Sequence, residues 1–307
     1  MDVLSELLDG VRARGALFRQ TPMKGPWAVR FAAGSPLTLA TMLRGRAWIV
    51  PASGGPVPVG TGDIAVIRGP APWTVTDGPA ATPQTVINSA DHFDHAEGQR
   101  TDYDAEGSAL LFSGAYTGQG DISERLLGAL PDVLVVPDAD CHRLLRDLVA
   151  DELVRDRPGQ QLMRDRMLEL MLLSTLRTWF DQPEAHAPAW YRALDDPVAG
   201  PALRLLHEHP ARPWTVAQLA AECGVSRAAL ARRFTTQVGE PPMAYLASWR
   251  IALAAQLLRE TDATVGSIAR KVGYANTFAL SVAFKRLRGI SPTQHRNTAP
   301  ASASETG

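Results

Sequence analysis

The stretch Thr264-Val265-Gly266-Ser267-Ile268-Ala269, followed by Gly273, Leu280 and Phe284, repeats an earlier one: Thr215-Val216-Ala217-Gln218-Leu219-Ala220, then Gly224, Leu230 and Phe234. The offset is 49 residues before the turn and 50 after it, so the second copy has one more turn residue, Asn276. Each copy predicts a helix, a Gly-containing turn and a second helix. Paired units of this kind place two recognition helices on one face of DNA.

In the first unit Thr215 is placed to cap the first helix through its hydroxyl, and Ser226 to cap the second, about Ser226–Thr235. Gly224 lets the chain reverse. With Leu230 and Phe234 turned inward, Ala228, Ala231 and Arg232 form the outer stripe, beside Ser226 and Arg227 at the helix start. Arg232 can bond a guanine bidentately, and the alanines permit close approach to a thymine methyl. In the second unit Leu280 and Phe284 turn inward, so Phe278, Ser281 and Val282 face out, with Asn276 and Thr277 at the helix start. Packing of Phe278 and Val282 inside the fold or against a partner is the alternative reading. Arg233, Arg250, Lys285 and Arg286 are candidate phosphate contacts, although a surface arginine is often only a solvated charge. Between the units, Met243–Arg259 carries Leu246, Trp249, Leu253 and Leu257 on one stripe. This predicts a helix of about 16 residues, roughly 24 Å long. Such a spacer can hold two helices about 34 Å apart, one turn of DNA.

Charge divides along the chain in the same way. Residues 212–296 carry 12 Lys and Arg against 4 Asp and Glu, whereas residues 1–211 carry 19 against 27. The formal net charge of −1 therefore hides a basic end and an acidic front, as expected of a DNA-facing module joined to something else. The 307 residues allow two domains with cores of their own. No apolar run is long enough for a membrane span, and the start has no signal-peptide pattern. Cys141 and Cys223 are the only cysteines, which argues for a reducing, cytoplasmic setting rather than a disulfide framework. A redox role for Cys223 is disfavoured: it lies on a packed helix, where a thiol acts as a small hydrophobe, and no Lys or His is placed to activate it; Cys141 has His142 beside it, a neighbour that is common by chance.

Upstream, the periodicity shifts. Residues 2–14 predict an amphipathic helix with Val3, Leu4, Leu7, Leu8 and Val11 on one stripe. Short β-type runs then sit between Gly and Pro clusters: Trp27–Phe31, Leu37–Leu43, Ala47–Val50, Ile64–Ile67, Thr74–Thr76, Thr85–Asn88 and Ala109–Phe112. They predict a small barrel or sandwich. Asp91–Gly107 reads as a polar loop. Cys141–Arg155 and Gln161–Phe180 read as helices, the second with Met163, Met167, Leu170, Met171 and Ser174 on one stripe. These helices either pack on the strands or form a dimer interface. Gln182–Pro188 and Asp195–Pro201 read as linker.

Several of these residues carry a resemblance. Pro213-Trp214-Thr215-Val216 through Arg232-Arg233-Phe234, Val238-Gly239-Glu240-Pro241-Pro242, Val272-Gly273-Tyr274, Ala283-Phe284-Lys285-Arg286 and Gly289-Ile290-Ser291-Pro292 resemble the AraC/XylS family of transcriptional regulators. The resemblance covers about 85 residues and implies a seven-helix DNA-binding domain. It departs at two positions: the family commonly has Arg or another polar residue at Val282, and a small or polar residue at Phe278. Gly25–Tyr116 resembles the cupin-type sensor domain of a subgroup of that family, through Trp27-Ala28-Val29-Arg30-Phe31, Leu43-Arg44-Gly45-Arg46-Ala47-Trp48, and Gly62-Asp63-Ile64 leading to Pro70-Ala71-Pro72-Trp73. In the turn, Gly permits positive φ and Asp can bond nearby amides. Cupin enzymes bind metal through strand histidines. Leu37–Leu43 has none and Trp73 stands where a His often follows the turn; indole cannot replace imidazole. The expectation is a non-catalytic fold with no cofactor and no metal. Asp91, His92, Asp94 and His95 read as exposed loop residues rather than ligands. Trp48 and Trp73 are candidates to line an effector pocket, or else to fill the core.

The resulting expectation is an α+β multidomain chain: an N-terminal cupin-like β-barrel with flanking helices and a C-terminal all-α tandem helix-turn-helix domain. Its parts are a cupin-like sensor at 1–135, a helical, dimerisation-competent segment at 136–182, a linker at 183–200, the DNA-binding domain at 201–298 and a disordered tail at 299–307. The function expected is one-component regulation of transcription, activation by resemblance. Its partners would be double-stranded promoter DNA, RNA polymerase, a second copy of the chain and a small-molecule effector, with no membrane. The alternatives are a front domain used only for dimerisation, and a cupin metalloenzyme fused to a DNA-binding domain.

Overall fold

The computed structural model describes residues 26–79 except 33, 109–118, 126–138, 158–182 and 187–298, with short pieces at 4, 11–13, 21–23, 83, 85–87, 143–145, 147–148 and 152. The expected loop at Asp91–Gly107, Cys141 and the tail at 299–307 lie outside the described residues. The chain divides into a sheet unit, Val11–Gln119 with Leu126–His186, and a helical unit from Ala187 onward.

The sheet unit holds β1 (Val11–Ala13), β2 (Thr21–Met23), β3 (Ala28–Phe31), β4 (Leu37–Arg44), β5 (Ala47–Val50), β6 (Val57–Val59), β7 (Ile64–Arg68), β8 (Trp73–Thr76), β9 (Thr85–Ile87), β10 (Ala109–Gly118) and β11 (Val133–Val136). They form two sheets rather than one closed ring, in the orders β1-β10-β4-β7-β11, with β2 also on β10, and β6-β5-β8-β3-β9. The expected barrel is thus a sandwich. Inward residues of both sheets make one core: Val29, Phe31, Ile49, Trp73 and Val75 meet Ala40, Met42, Ala65, Ile67 and Leu111. Val11, expected on a helical stripe, instead opens a strand whose partners run from Gly118 to Tyr116; of the predicted opening helix, Leu4 is helical and buried.

Strand β4 is buried on both faces from Leu37 to Met42. Its second face is covered by α1 (Gln160–Phe180). Gly114 opposes Leu39 in the register, and a Cβ there would lie 2.3 Å from Leu168 Cδ1. The missing side chain is what lets the helix seat. The Tyr116 hydroxyl donates to the Leu168 carbonyl at 2.6 Å. Burial, with a smaller push from Glu169, holds that phenol well above its ordinary range. The buried stripe of α1 is Met167, Leu168, Met171, Leu172 and Leu176. Met163 and Leu170 of the expected stripe are instead exposed, because this helix is apolar on more than one face and the sheet selects among them.

The helical unit holds α2 (Ala189–Arg192), a 3-10 turn (Ala193–Asp195), α3 (Ala199–Glu208), α4 (Val216–Glu222), α5 (Arg227–Val238), α6 (Pro242–Glu260), α7 (Val265–Lys271), α8 (Thr277–Arg288) and α9 (Pro292–Thr298). Within 183–200, read from its prolines as linker, Trp190, Ala193 and Ala199 are buried. Asp196 accepts bonds from the Val198 and Ala199 amides, at 2.9 and 2.8 Å, and so starts α3. Helix α6 has 19 residues, about 28 Å. It is apolar nearly all round because it serves two cores. Its first half supplies Tyr245, which meets Phe234 of α5 edge-on at 5.8 Å between centroids. Its second half supplies Ile251, Ala254, Ala255 and Leu258, which pack on Ile268, Ala269, Leu280 and Phe284.

Candidate nucleic-acid interface

The two helix-turn-helix units match element by element. Helices α4 and α7 each have 7 residues, and α5 and α8 each have 12. The Thr215 hydroxyl accepts from the Gln218 amide at 3.2 Å while Gln218 Oε1 accepts from the Thr215 amide at 3.0 Å, a full capping box. Thr264 accepts likewise from Ser267. The turns contain Gly224 at φ +68° and Gly273 at φ +87°, a region that L side chains rarely adopt. Ser226 caps α5 through the Ala229 amide at 3.2 Å. Asn276, the added turn residue, caps α8 through the Ala279 amide at 2.9 Å.

Capping and packing together fix the outer faces. Leu230, Phe234, Leu280 and Phe284 are fully buried. On α5, Arg227, Ala228 and Arg232 are exposed and Ala231 is half-buried. On α8, Thr277 is exposed, Ser281 half-buried, Phe278 78% exposed and Val282 53% exposed. Phe278 and Val282 are therefore not packed inside this chain. Lys285 and Arg286 are exposed near the end of α8. The structure brings each predicted stripe to the surface of its helix.

Two of the predicted phosphate contacts also have partners within the fold. Arg233 reaches Asp196 Oδ2 with Nε and Nη2, both at 2.7 Å. Asp196 is itself 8% exposed. Burial pushes its carboxyl up, but the Ala199 amide, Arg233 and the Val198 amide outweigh this and hold it below its ordinary value. Arg250 donates through Nε to the Pro210 carbonyl at 2.7 Å and through Nη2 to the Arg212 carbonyl at 2.8 Å. Its guanidinium lies 5.9 Å from the Tyr274 ring centre. Both arginines brace the helical unit, a role invisible to local sequence because their partners lie 37 and 40 residues away. A further residue the sequence did not single out is His207, buried with Nε2 2.8 Å from the Tyr245 hydroxyl and its ring 4.2 Å from Trp249. The Cys223 thiol is pushed up by burial and by Glu222, with Arg204 opposing, which disfavours the reactive thiolate.

In the sheet unit, the two candidate effector-pocket tryptophans separate. Trp48 opposes Thr76 across the β5–β8 ladder, while Ile49 opposes Val75. Side chains alternate along a strand, so Trp73, two residues before Val75, points to the other face from Trp48. Trp73 stacks on Phe31 at 4.1 Å with planes 5° apart. It fills the core, and the two indoles share no pocket. The cupin-like turn is as expected: Gly62 has φ +87°, and Asp63 accepts from the Gly60 amide at 2.7 Å and the Asp138 amide at 3.0 Å. A recess of about 220 Å³ lies between Pro51–Ser53, Arg68–Trp73 and Asp132. Asp91, His92, Asp94 and His95 lie outside the described residues.

Paired, capped helix-turn-helix units hung on one helix in a basic segment, joined to a two-sheet unit, define a two-part DNA-binding regulator. A family model described as Cupin matches residues 2–181, and one described as Helix-turn-helix domain matches residues 219–298. A protein of Streptomyces lividans named as an AraC-like transcription regulator is 34% identical over 301 residues, covering 96% of this chain and 98% of the relative. The HTH-type transcriptional regulator AlkR of Acinetobacter baylyi is 29% identical, covering 96% and 99%. Among solved structures, the DNA-binding domain of AdpA in complex with a target DNA is 32% identical, covers 34% of this chain and 92% of that one, and has a TM-score of 0.32. The chain belongs to the AraC family of transcription regulators, with a cupin domain ahead of its DNA-binding domain. No helix among the described residues is long and apolar enough to cross a membrane.

Proposed function

We propose that α5 and α8 enter successive major grooves of one promoter duplex and that the bound protein activates transcription by contact with RNA polymerase. The observation that carries the reading is the matched pair of outer stripes, Ala228 with Arg232 and Phe278 with Val282, on helices of equal length built around α6. Arg232 reads a guanine, while Arg227, Lys285 and Arg286 meet phosphates. Footprinting of the full chain tests this: protection in two patches one helical turn apart is expected. Arg232→Ala is expected to cost about 1–3 kcal/mol of specific binding and to relax the base preference in one patch only. A single protected patch, or an unchanged preference in Arg232→Ala, overturns the assignment.

The front unit acts in this reading without catalysis, as a receiver of a small-molecule signal. Such a ligand shifts the DNA-competent population only through differential affinity. Ligand-specific thermal stabilisation supports it, and stoichiometric bound iron or manganese would favour an enzyme instead. A second reading, dimerisation through this unit, is favoured by one observation. Leu162, Met163 and Leu170 on α1 are at least half exposed, as is Leu144, and a groove of about 470 Å³ lined by Leu144, Leu145, Leu170 and Leu173 lies among them. Sedimentation of the Leu170→Glu variant tests it: a dimer that survives unchanged rules this face out.

A further inference from the structure

The two outer stripes differ in chemistry at equivalent places. In the 50-residue repeat, Phe278 stands where α5 has Ala228, and Val282 where α5 has Arg232. The donor-bearing position of the first helix is thus an aliphatic one in the second. Phe278 and Val282 are one helical turn apart, 78% and 53% exposed, and side chains at that spacing share a face. A large apolar pair left in water on a helix whose other face is fully packed, beside the exposed cations Lys285 and Arg286, is matched to a surface that is anionic at its edges and apolar at its centre. The major groove offers one apolar feature, the thymine 5-methyl group, flanked by phosphates.

Resting on the reading that α8 enters a major groove, we infer that the second helix recognises thymines through their methyl groups, with Phe278 and Val282 as specificity-determining residues. The operator is then asymmetric: a guanine-dependent half bound by α5 and a thymine-dependent half bound by α8. Each methyl buried between Phe278, Val282 and a base contributes about fourfold in affinity. Phe278 and Val282 carry no donor, so discrimination by this pair is by shape and methyl burial, not by hydrogen bonding.

Deoxyuridine isolates this contribution, since it differs from thymidine only by the methyl and leaves pairing and charge unchanged. The probe is a duplex selected by the full chain from a randomised pool, with thymines replaced by deoxyuridine in one protected patch at a time. Replacement in the α8 patch is expected to weaken binding about fourfold per contacted methyl, and replacement in the α5 patch to have the smaller effect. The Phe278→Ala, Val282→Ala double variant, altered only at exposed positions, is expected to bind the thymine duplex more weakly and to lose the distinction between thymine and deoxyuridine. Equal binding of both duplexes by the wild type, with both patches still protected, overturns the inference while leaving groove entry intact. So does selected DNA without thymine in the second patch, or a double variant that keeps full affinity, which would assign the pair to a protein partner. A missing second patch instead refutes groove entry by α8.

Discussion

Gly224 and Gly273 occupy the same place in the two turns, with φ of +68° and +87°, yet they differ in surroundings. A Cβ added at Gly224 meets nothing within 4 Å. At Gly273 it would lie 2.7 Å from Ala211 Cα, 2.9 Å from Ala211 O and 2.8 Å from Arg250 Nη2. Left-handed backbone costs an alanine roughly 1–2 kcal/mol, offset by about 0.4–1 kcal/mol from the less flexible unfolded chain. Gly224→Ala is therefore expected to destabilise by about 1 kcal/mol or less. Gly273→Ala has the same backbone cost plus a clash with backbone that cannot rotate away and with a guanidinium held on the Arg212 carbonyl at 2.8 Å. Overpacking of this kind costs typically 1–3 kcal/mol, so the total is about 1–4 kcal/mol. Urea unfolding of the full chain, followed by the helical circular dichroism signal, measures both variants. With slopes of about 1–3 kcal/mol/M, Gly273→Ala should unfold at a midpoint lower than Gly224→Ala by roughly 1 M. Equal midpoints would refute the close approach of the second turn to the chain at Ala211.

Two further substitutions follow the same logic. Asp196→Asn keeps an acceptor for the Val198 and Ala199 amides but loses the charge facing Arg233, and charge-assisted bonds contribute about 1.5–3 kcal/mol. Because the folded carboxyl titrates below its ordinary 3.8, that stability is complete above this value and is lost as pH falls through the lower folded one. The urea midpoints of wild type and variant should therefore differ at neutral pH and converge under acid; a difference that persists in acid would refute the assignment. In the sheet unit, Gly114→Ala drives a methyl into Leu168, with an expected cost of about 1–3 kcal/mol. Adding Leu168→Ala should relieve that clash, and strict additivity in the double variant would count against the contact.

What the sequence made legible was local. Thr215 and Ser226 cap within three residues, the turn glycines reverse the chain in place, and Leu230, Phe234, Leu280 and Phe284 face inward by helical periodicity alone. Each signal is set by neighbours a few residues away, so the repeat could be read without coordinates. What local sequence could not show was non-local. Trp48 and Trp73 looked like neighbours until the ladder register put them on opposite faces. Val11–Ala13 continues an apolar helical pattern, but β10, more than 100 residues on, recruits it as a strand. Arg233 and Arg250 have the composition of phosphate ligands, and only tertiary structure shows them facing Asp196 and the Pro210 and Arg212 carbonyls.

The arginines also show how the helical unit closes. Helices α6 and α9 each follow a candidate recognition helix, after Gly239 and Gly289 respectively. Each sends a guanidinium back to the chain ahead of the same unit's first helix: Arg250 to the Pro210 and Arg212 carbonyls before α4, and Arg296 to the Leu258 and Ala263 carbonyls before α7. A helix-turn-helix of two short helices buries little surface of its own, so a charged clasp on backbone carbonyls supplies closure that its small core lacks. Arg250 also lies against the turn of the second unit at Gly273, which ties the spacing of the two units to the same side chain that closes the first. Of the 12 cations in residues 212–296, Arg212 and Arg233 face carboxylates, and Arg250 and Arg296 face carbonyls. Part of this cationic complement thus also serves as a folding device.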